Sequence, residues 1–426
     1  MVNNALLERR FRVIGRHAPL FYDEPLEIVR GEGVWLYDAT GRRYLDVYNN
    51  VPHCGHCHPR IAAALCDQAR TLNVHTRYLH QGIVNYLERL TGLFDDRLAM
   101  ASLTCTGSEA NELALRMARH HTGAQGIIVT DCAYHGNTEA VGELGTGFMP
   151  EAAASGRVIG VPAPDSYRGL PGVAPEDLAA AYAQKVQEAI ETFAGRGIGT
   201  AGILICPDFA NEGLLDAPPG FVEAAVEKVR AAGGLYIADE VQGGFGRTGH
   251  HWWSHEWYGP VPDIVTMGKP MGNGHPLAGV VARRDIIDPF GEWAMYFNTF
   301  AGNPVSCAVG MAVLDVLEQE DLLSNAVETG AYVAEGLKVL QDKYEIIGDV
   351  RHKGMFFAAE LVADRDSKAP ATDQTRALVN AMARKGVLIS RIGVHDNVLK
   401  MRPPMPFNRK HADLLLSTLD DCLAEL

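Results

Sequence analysis

Asp263-Ile-Val-Thr-Met-Gly-Lys269-Pro-Met-Gly-Asn-Gly274 sets one lysine between an apolar run and a cluster of glycines. A lysine just after a buried strand loses hydration, which lowers its pKa and leaves a neutral amine able to condense with an aldehyde. An ordinary loop lysine is the plain alternative. A second stretch, Leu235-Tyr-Ile-Ala-Asp239-Glu240-Val241-Gln242, is an apolar strand pattern ending in two acids. Ligands of open α/β sheets bind outside the carboxyl ends of strands, and a carboxylate there can keep a ring nitrogen protonated and make the ring an electron sink. Two solvated loop acids fit the same pattern. In a third stretch, Thr104-Cys-Thr-Gly-Ser-Glu-Ala-Asn-Glu112, Thr106 and Glu109 have the spacing of a capping box. Ala110, Leu113, Ala114, Met117 and Ala118 then share one helical face. Gly107 and Ser108 offer backbone N–H groups at the positive end of that helix, a place suited to phosphate and equally to nothing more than a good N-cap.

Two other motifs point elsewhere and fail on context. Gly244-Phe-Gly246-Arg-Thr-Gly249 matches a dinucleotide fingerprint, yet His250-His-Trp-Trp253 follows where a helix should open. A nicotinamide-dependent dehydrogenase is therefore a remote alternative. Cys54-Gly-His-Cys57, with His53, His56 and His58, invites a metal or redox reading. Structural zinc needs four ligands, and no second pair follows at finger spacing. We expect no metal site.

The elements that must position these residues are legible as patterns. Short apolar runs recur at Gly126–Thr130, Val158–Val161, Gly202–Cys206, Leu235–Ala238 and Ile264–Met267, with helical patterns at Pro175–Ala194 and Gly220–Ala232. Buried strands alternating with helices predict an α/β fold with a mostly parallel sheet between helices. Before it, Gly33–Asp38 and Arg43–Tyr48 flank a turn and predict a hairpin. After it, helices Asp321–Tyr344 and Asp373–Lys385 with strands Gly354–Leu361 and Val387–Ser390 predict an α+β unit that packs with the N-terminal segment. A net charge of −14 excludes an electrostatic footprint for nucleic acid. No apolar run approaches the roughly 18 residues of a membrane span. Met1–Arg16 lacks the apolar core of a signal peptide, and eight cysteines in 426 residues are too sparse for a disulfide scaffold, so a cytoplasmic protein is expected.

Taken together the motifs resemble the class-III aminotransferases, pyridoxal-phosphate enzymes of fold type I. The resemblance spans nearly the whole chain and rests on Thr106-Gly-Ser-Glu-Ala-Asn111, Tyr134-His135-Gly136, Asp239 through Gly249, Gly268-Lys269 and Asn298-Thr-Phe-Ala-Gly-Asn-Pro304. It implies a small domain drawn from both termini (1–60 and 316–426) around a large cofactor-binding domain (61–315). It further implies that Lys269 forms the Schiff base and moves the substrate's Cα proton, and that Asp239 pairs with the pyridine nitrogen. Tyr134 and Val241 would cover the two ring faces, and Gly107 and Ser108 would hold the phosphate. His135 and Gln242 belong to the same motifs. Thr299 would join from the neighbouring subunit of a homodimer.

Within the family, Asn49-Asn50, Gly55 through Pro59, Arg77-Tyr-Leu-His80, Asp263 through Pro276 and Asn397-Val-Leu-Lys-Met-Arg-Pro-Pro404 resemble the ethanolamine-phosphate phospho-lyase branch. Two departures from the family pattern bear on substrate. Lys400 stands where many members carry an arginine that grips an α-carboxylate in a bidentate fork, and Pro207-Asp-Phe-Ala-Asn211 replaces a Glu-Pro-x-x-Gly stretch. Asn50, Arg77, Lys400 and Arg402 are the candidate substrate residues. The family's dominant activity makes amino transfer from an amine or ω-amino compound to a keto acid or aldehyde the leading expectation. Elimination of phosphate from phosphoethanolamine or a similar amine is the alternative.

Overall fold

The computed structural model describes residues 4–426. At its centre a seven-stranded sheet runs, in spatial order, Met100–Thr104, Ala278–Ala282, Ile264–Met267, Leu235–Asp239, Thr200–Ile205, Gly126–Thr130 and Val158–Val161. The last five are parallel neighbours, whereas Ala278–Ala282 runs antiparallel to both strands beside it. Parallel strands are covered on both faces, and here the side chains alternate between two apolar clusters. Ile127, Val129, Leu204 and Ile237 pack with Ala110, Leu113 and Met117 of the helix Gly107–Thr122. Ile128, Ile203, Ile205, Tyr236 and Ala238 belong to the larger cluster, with Val186, Ile190 and Phe193 of helix Leu178–Gly195 and Val222 and Val226 of helix Phe221–Ala231.

The chain ends form smaller sheets. Ile28–Glu32, Trp35–Asp38 and Arg43–Asp46 make antiparallel pairs, which includes the expected hairpin. Val387–Leu388 joins them as a parallel fourth strand beside Leu45 and Asp46. Ile347–Lys353, Phe356–Asp364, Val398–Met401 and Ser390–Ile392 build a second antiparallel sheet, carried by helices Leu322–Lys343, Thr372–Lys385 and Arg409–Ala424. The run Val387–Ser390, expected as one strand, is thus divided between two sheets, because buried Ile389 sits where they meet. Met100–Thr104 and Ala278–Ala282 carry no expectation from periodicity. Their apolar residues are short and mixed with small ones, and sheet pairing makes strands of them.

This strand order has one consequence for chemistry. Asp239, Thr130 and Ile205 end neighbouring or nearby parallel strands, and Lys269 follows Ile264–Met267 at the same edge. Thr104 ends on that edge too, so the helix opening at Gly107 starts there.

Candidate active site

The helix Gly107–Thr122 begins as its residues dictate. The Thr106 hydroxyl accepts the Glu109 N–H at 3.2 Å, and the Glu109 carboxylate accepts the Thr106 N–H at 2.9 Å. Such a cap contributes about 1 kcal/mol. It leaves the first N–H groups of the helix, at Gly107 and Ser108, without intrahelical acceptors. They border a cavity of about 260 Å³ that also meets Tyr134, His135, Asp239, Val241, Gln242 and Lys269. Every residue expected around a cofactor therefore lines one space, apart from Thr299, which lies exposed on the loop following Asn298. Gly136 and Cys206 line it as well without having been singled out. Gly136 lies in the Tyr134-His-Gly motif, whereas Cys206 is marked only as the end of an apolar run.

The cavity's glycines are there for space. A Cβ on Gly136 would stand 2.4 Å from Ser108 Oγ, and one on Gly107 would stand 3.0 Å from Val241 Cγ2. Lys269 is held at φ +26°, a backbone region costly for a side-chain-bearing residue. Burial lowers its pKa; Asp239 opposes the shift and Arg402 adds to it. Burial works the other way on Asp239, but hydrogen bonds and charge from His135, with the Val241 N–H and Asn111, outweigh it and hold the carboxyl below its usual range. A partly desolvated amine thus shares the cavity with a carboxylate kept ionised.

The expected substrate residues divide. Lys400 is fully buried, its Nζ donating to Asn211 Oδ1 at 3.0 Å and Gln242 Oε1 at 3.1 Å. It makes no salt bridge among the described residues, and burial with the nearby Arg402 pushes its pKa far below the lysine range. Arg402 lies 5.2 Å from the Tyr48 ring centroid, and its buried Nε has no hydrogen-bond partner. Arg77 is exposed above the Phe297 ring, 3.8 Å from its centroid, and Asn50 is buried with its amide nitrogen unpartnered; none of the four substrate candidates lines the cavity itself. Asn211 and Gln242 tie Lys400 to the cavity wall.

The other motifs are absorbed by structure. Residues 244–249 form turns, and buried Arg247 bonds the Pro403 and Met355 carbonyls and His53. His56 pairs with Asp46 and His58 with Glu320, and no group of metal-binding side chains occurs among the described residues. A larger cavity of about 450 Å³ opens between residues 162–170 and 393–398, where Arg168 is paired with Glu360.

Residues 21–423 match the family model of the class-III aminotransferases. The chain belongs to that family. It is 40% identical to an alanine–glyoxylate aminotransferase 2-like protein of Drosophila melanogaster, over 98% of this chain and 86% of the other. A phospholyase from Arthrobacter, solved in complex with phosphoethanolamine, is 48% identical with a TM-score of 0.95, covering 99% of this chain and all of that one. An amine transaminase from an uncultivated Pseudomonas species, solved in its pyridoxal-phosphate-bound form, is 29% identical with a TM-score of 0.86 over 95% of each chain. The protein is thus a pyridoxal-phosphate-dependent enzyme of the class-III aminotransferase family with the fold-type-I architecture, as the sequence led us to expect. The cavity suits that cofactor: two glycine positions without room for a side chain, open helix N–H groups, an ionised buried acid and a desolvated lysine.

Proposed function

We propose that this family member acts on a small phosphorylated primary amine and eliminates its phosphate. The observation that carries the reading is the pair of basic side chains beside Lys269, Lys400 and Arg402, which are buried or half-buried and have no carboxylate partner, with Lys400 pushed toward its neutral form. A bound phosphate supplies the missing counter-charge with several acceptor oxygens and favours the protonated form of the Lys400 amine. The similarity to the phospholyase solved with phosphoethanolamine supports the same substrate class. Amino transfer is the second reading, favoured by the family and by the aminotransferase name of the Drosophila relative.

In either reaction Gly107 and Ser108 hold the cofactor phosphate, with Thr299 reaching in from a second copy of the chain in a homodimer. Asp239 pairs with the ring nitrogen beside His135, Val241 and Tyr134 flank the ring, and Gln242 links the ring site to Lys400. Bound there, pyridoxal phosphate supplies an electron sink for the pair left when the substrate's Cα–H bond breaks. Lys269 Nζ, whose pKa burial lowers, would hold the cofactor aldehyde at rest and take the Cα proton during turnover. Lys400 and Arg402 orient the substrate phosphate so that the Cβ–O bond can break, the electron pair leaving with oxygen. Overall, phosphoethanolamine and one water give acetaldehyde, ammonia and inorganic phosphate. In amino transfer Lys269 would instead serve as the proton donor that completes the exchange of the amino group.

The division into 1–60, 61–315 and 316–426, and the cytoplasmic location, belong to the same proposal. No helix among the described residues is long and apolar enough to cross a membrane. The deciding experiment supplies phosphoethanolamine with no keto acid. Equal release of phosphate and acetaldehyde over many turnovers supports elimination. No phosphate release, with amine consumption that depends on an added keto acid, overturns it in favour of amino transfer.

A further inference from the structure

Asp239 is held by more than its strand. Its Oδ1 accepts the Val241 N–H at 3.0 Å, and its Oδ2 lies 2.6 Å from His135 Nδ1 and 2.9 Å from Asn111 Nδ2. The same Asn111 nitrogen donates to the His135 carbonyl at 2.7 Å. On its other side Asn111 Oδ1 accepts the Thr266 hydroxyl at 2.7 Å. Asn111 and Thr266 are wholly shielded from solvent, so water offers no substitute partners. The orientation of the amide is dictated by its surroundings. Turned over, Asn111 would set its oxygen against a carboxylate and a carbonyl and leave the Thr266 hydroxyl facing an NH₂ group.

Where these residues come from gives the chain of bonds its meaning. Thr266 lies on the strand Ile264–Met267, three positions before Lys269. Asn111 sits in the first turns of the helix whose N-terminus borders the cavity. Asp239 ends the strand beside Ile264–Met267. One amide thus ties the strand of the reactive lysine, the phosphate-side helix and the acid together. Helix–sheet packing needs no polar group here: Ala110, Leu113 and Ala114 pack the same helix on the sheet without one.

We infer that Asn111, oriented by Thr266, is a positioning residue that fixes the Asp239 carboxylate against the cofactor's ring nitrogen in register with Lys269. The inference rests on the assignment of Asp239 to that nitrogen. Burial alone disfavours a charged Asp239, and Asn111 is one of the donors that offset it. Without it the carboxylate gains a proton more readily, swings on its remaining bonds and holds the ring nitrogen's proton less firmly.

The test uses the full chain with cofactor labelled at the ring nitrogen with ¹⁵N. Asn111→Leu keeps the bulk and removes the amide; Thr266→Val exchanges a hydroxyl for a methyl and touches Asp239 only through Asn111. Both are expected to weaken cofactor binding about tenfold, equivalent to one pKa unit. In both, the ¹⁵N signal should titrate to its neutral position at lower pH than in the parent. Thr266→Ser should restore parent behaviour, and the double variant should be no worse than Asn111→Leu alone, because the two act along one chain of bonds. Asp239→Asn is the control for the underlying assignment: if it leaves the ¹⁵N titration unmoved, Asp239 does not face the ring nitrogen. If that control moves the signal while Thr266→Val and Asn111→Leu leave titration and affinity at parent values, the inference is overturned. Strictly additive losses in the double variant overturn it too.

Discussion

On the cavity wall the buried Asp239 carboxylate takes hydrogen bonds from Val241, His135 and Asn111; behind Gln242, Lys400 reaches only two amide oxygens and Arg402 only the face of Tyr48. The first arrangement is complete before anything binds. Its charge is compensated by the protein, so the cofactor meets a site that needs no rearrangement. The second is incomplete, since two basic groups, Lys400 displaced toward its neutral form, lie close to Lys269 with amides where a carboxylate could stand. In the proposed reaction, an anion arriving with the substrate finishes it. On the proposed function, this chain's cofactor end is ordered in advance and its substrate end is completed only by the substrate.

The contrast can be broken most severely at the lysine that serves both ends. Lys269→Ala is expected to erase the visible absorbance of the lysine-bound cofactor and to lower turnover by at least ~10³-fold, within the range typical of a lost acid–base group. Stopped-flow absorbance and steady-state rates check it, and a surviving band would displace Lys269 from its role.

A more selective cut is Lys400→Met, which removes the amine and keeps much of the length. A lost hydrogen bond to a charged group corresponds to roughly 10–100-fold. We expect kcat/KM for phosphoethanolamine to fall by that factor while an unphosphorylated amine of the same size is processed as before. Equal losses for both amines would place Lys400 in the scaffold rather than against the phosphate.

The effect farthest from turnover, read in stability alone, concerns Asp208, the buried acid two residues beyond Cys206. Burial pushes its carboxyl up to about 6, against the pull of Lys353, and its Oδ1 has no hydrogen-bond partner. Its folded pKa lies above the unfolded value of 3.8, so the unfolded chain releases this proton first as pH rises. Asp208 therefore lowers stability progressively between about pH 4 and pH 6, by about 3 kcal/mol in full. Denaturant melts should show Asp208→Asn gaining on the parent across that window and holding the gain above it. A constant difference from pH 4 to pH 8 would mean the carboxyl is not strained toward its neutral form.

Much of this was readable without coordinates where a single segment carried the information. The Thr106–Glu109 box announced its helix because both bonds close within four residues. Gly126–Thr130, Val158–Val161 and Ile264–Met267 stood out as strands because buried parallel strands are apolar throughout. Met100–Thr104 and Ala278–Ala282 did not, since small and polar residues interrupt them and their partners are distant in sequence. Val387–Ser390 read as one strand because local pattern cannot show that two sheets meet at Ile389. Of the substrate candidates, the departure at Lys400 was visible as a residue type, but its lack of a counter-ion was not.

By itself, then, the sequence marked the candidate set: Lys269 among its glycines, Asp239 at a strand end, Gly107 and Ser108 at a helix start, and Lys400 where the family resemblance leads one to expect an arginine. Only the tertiary structure decided how those groups are charged and held. Thr266 meets Asn111 across 155 positions, Asn111 meets Asp239 across 128, and Lys400 meets Gln242 across 158. Such bonds depend on which strands lie side by side and in what register. Periodicity is a property of neighbours along the chain and carries no trace of them, whereas burial and hydrogen bonding, which set each group's charge, arise when distant segments close around it.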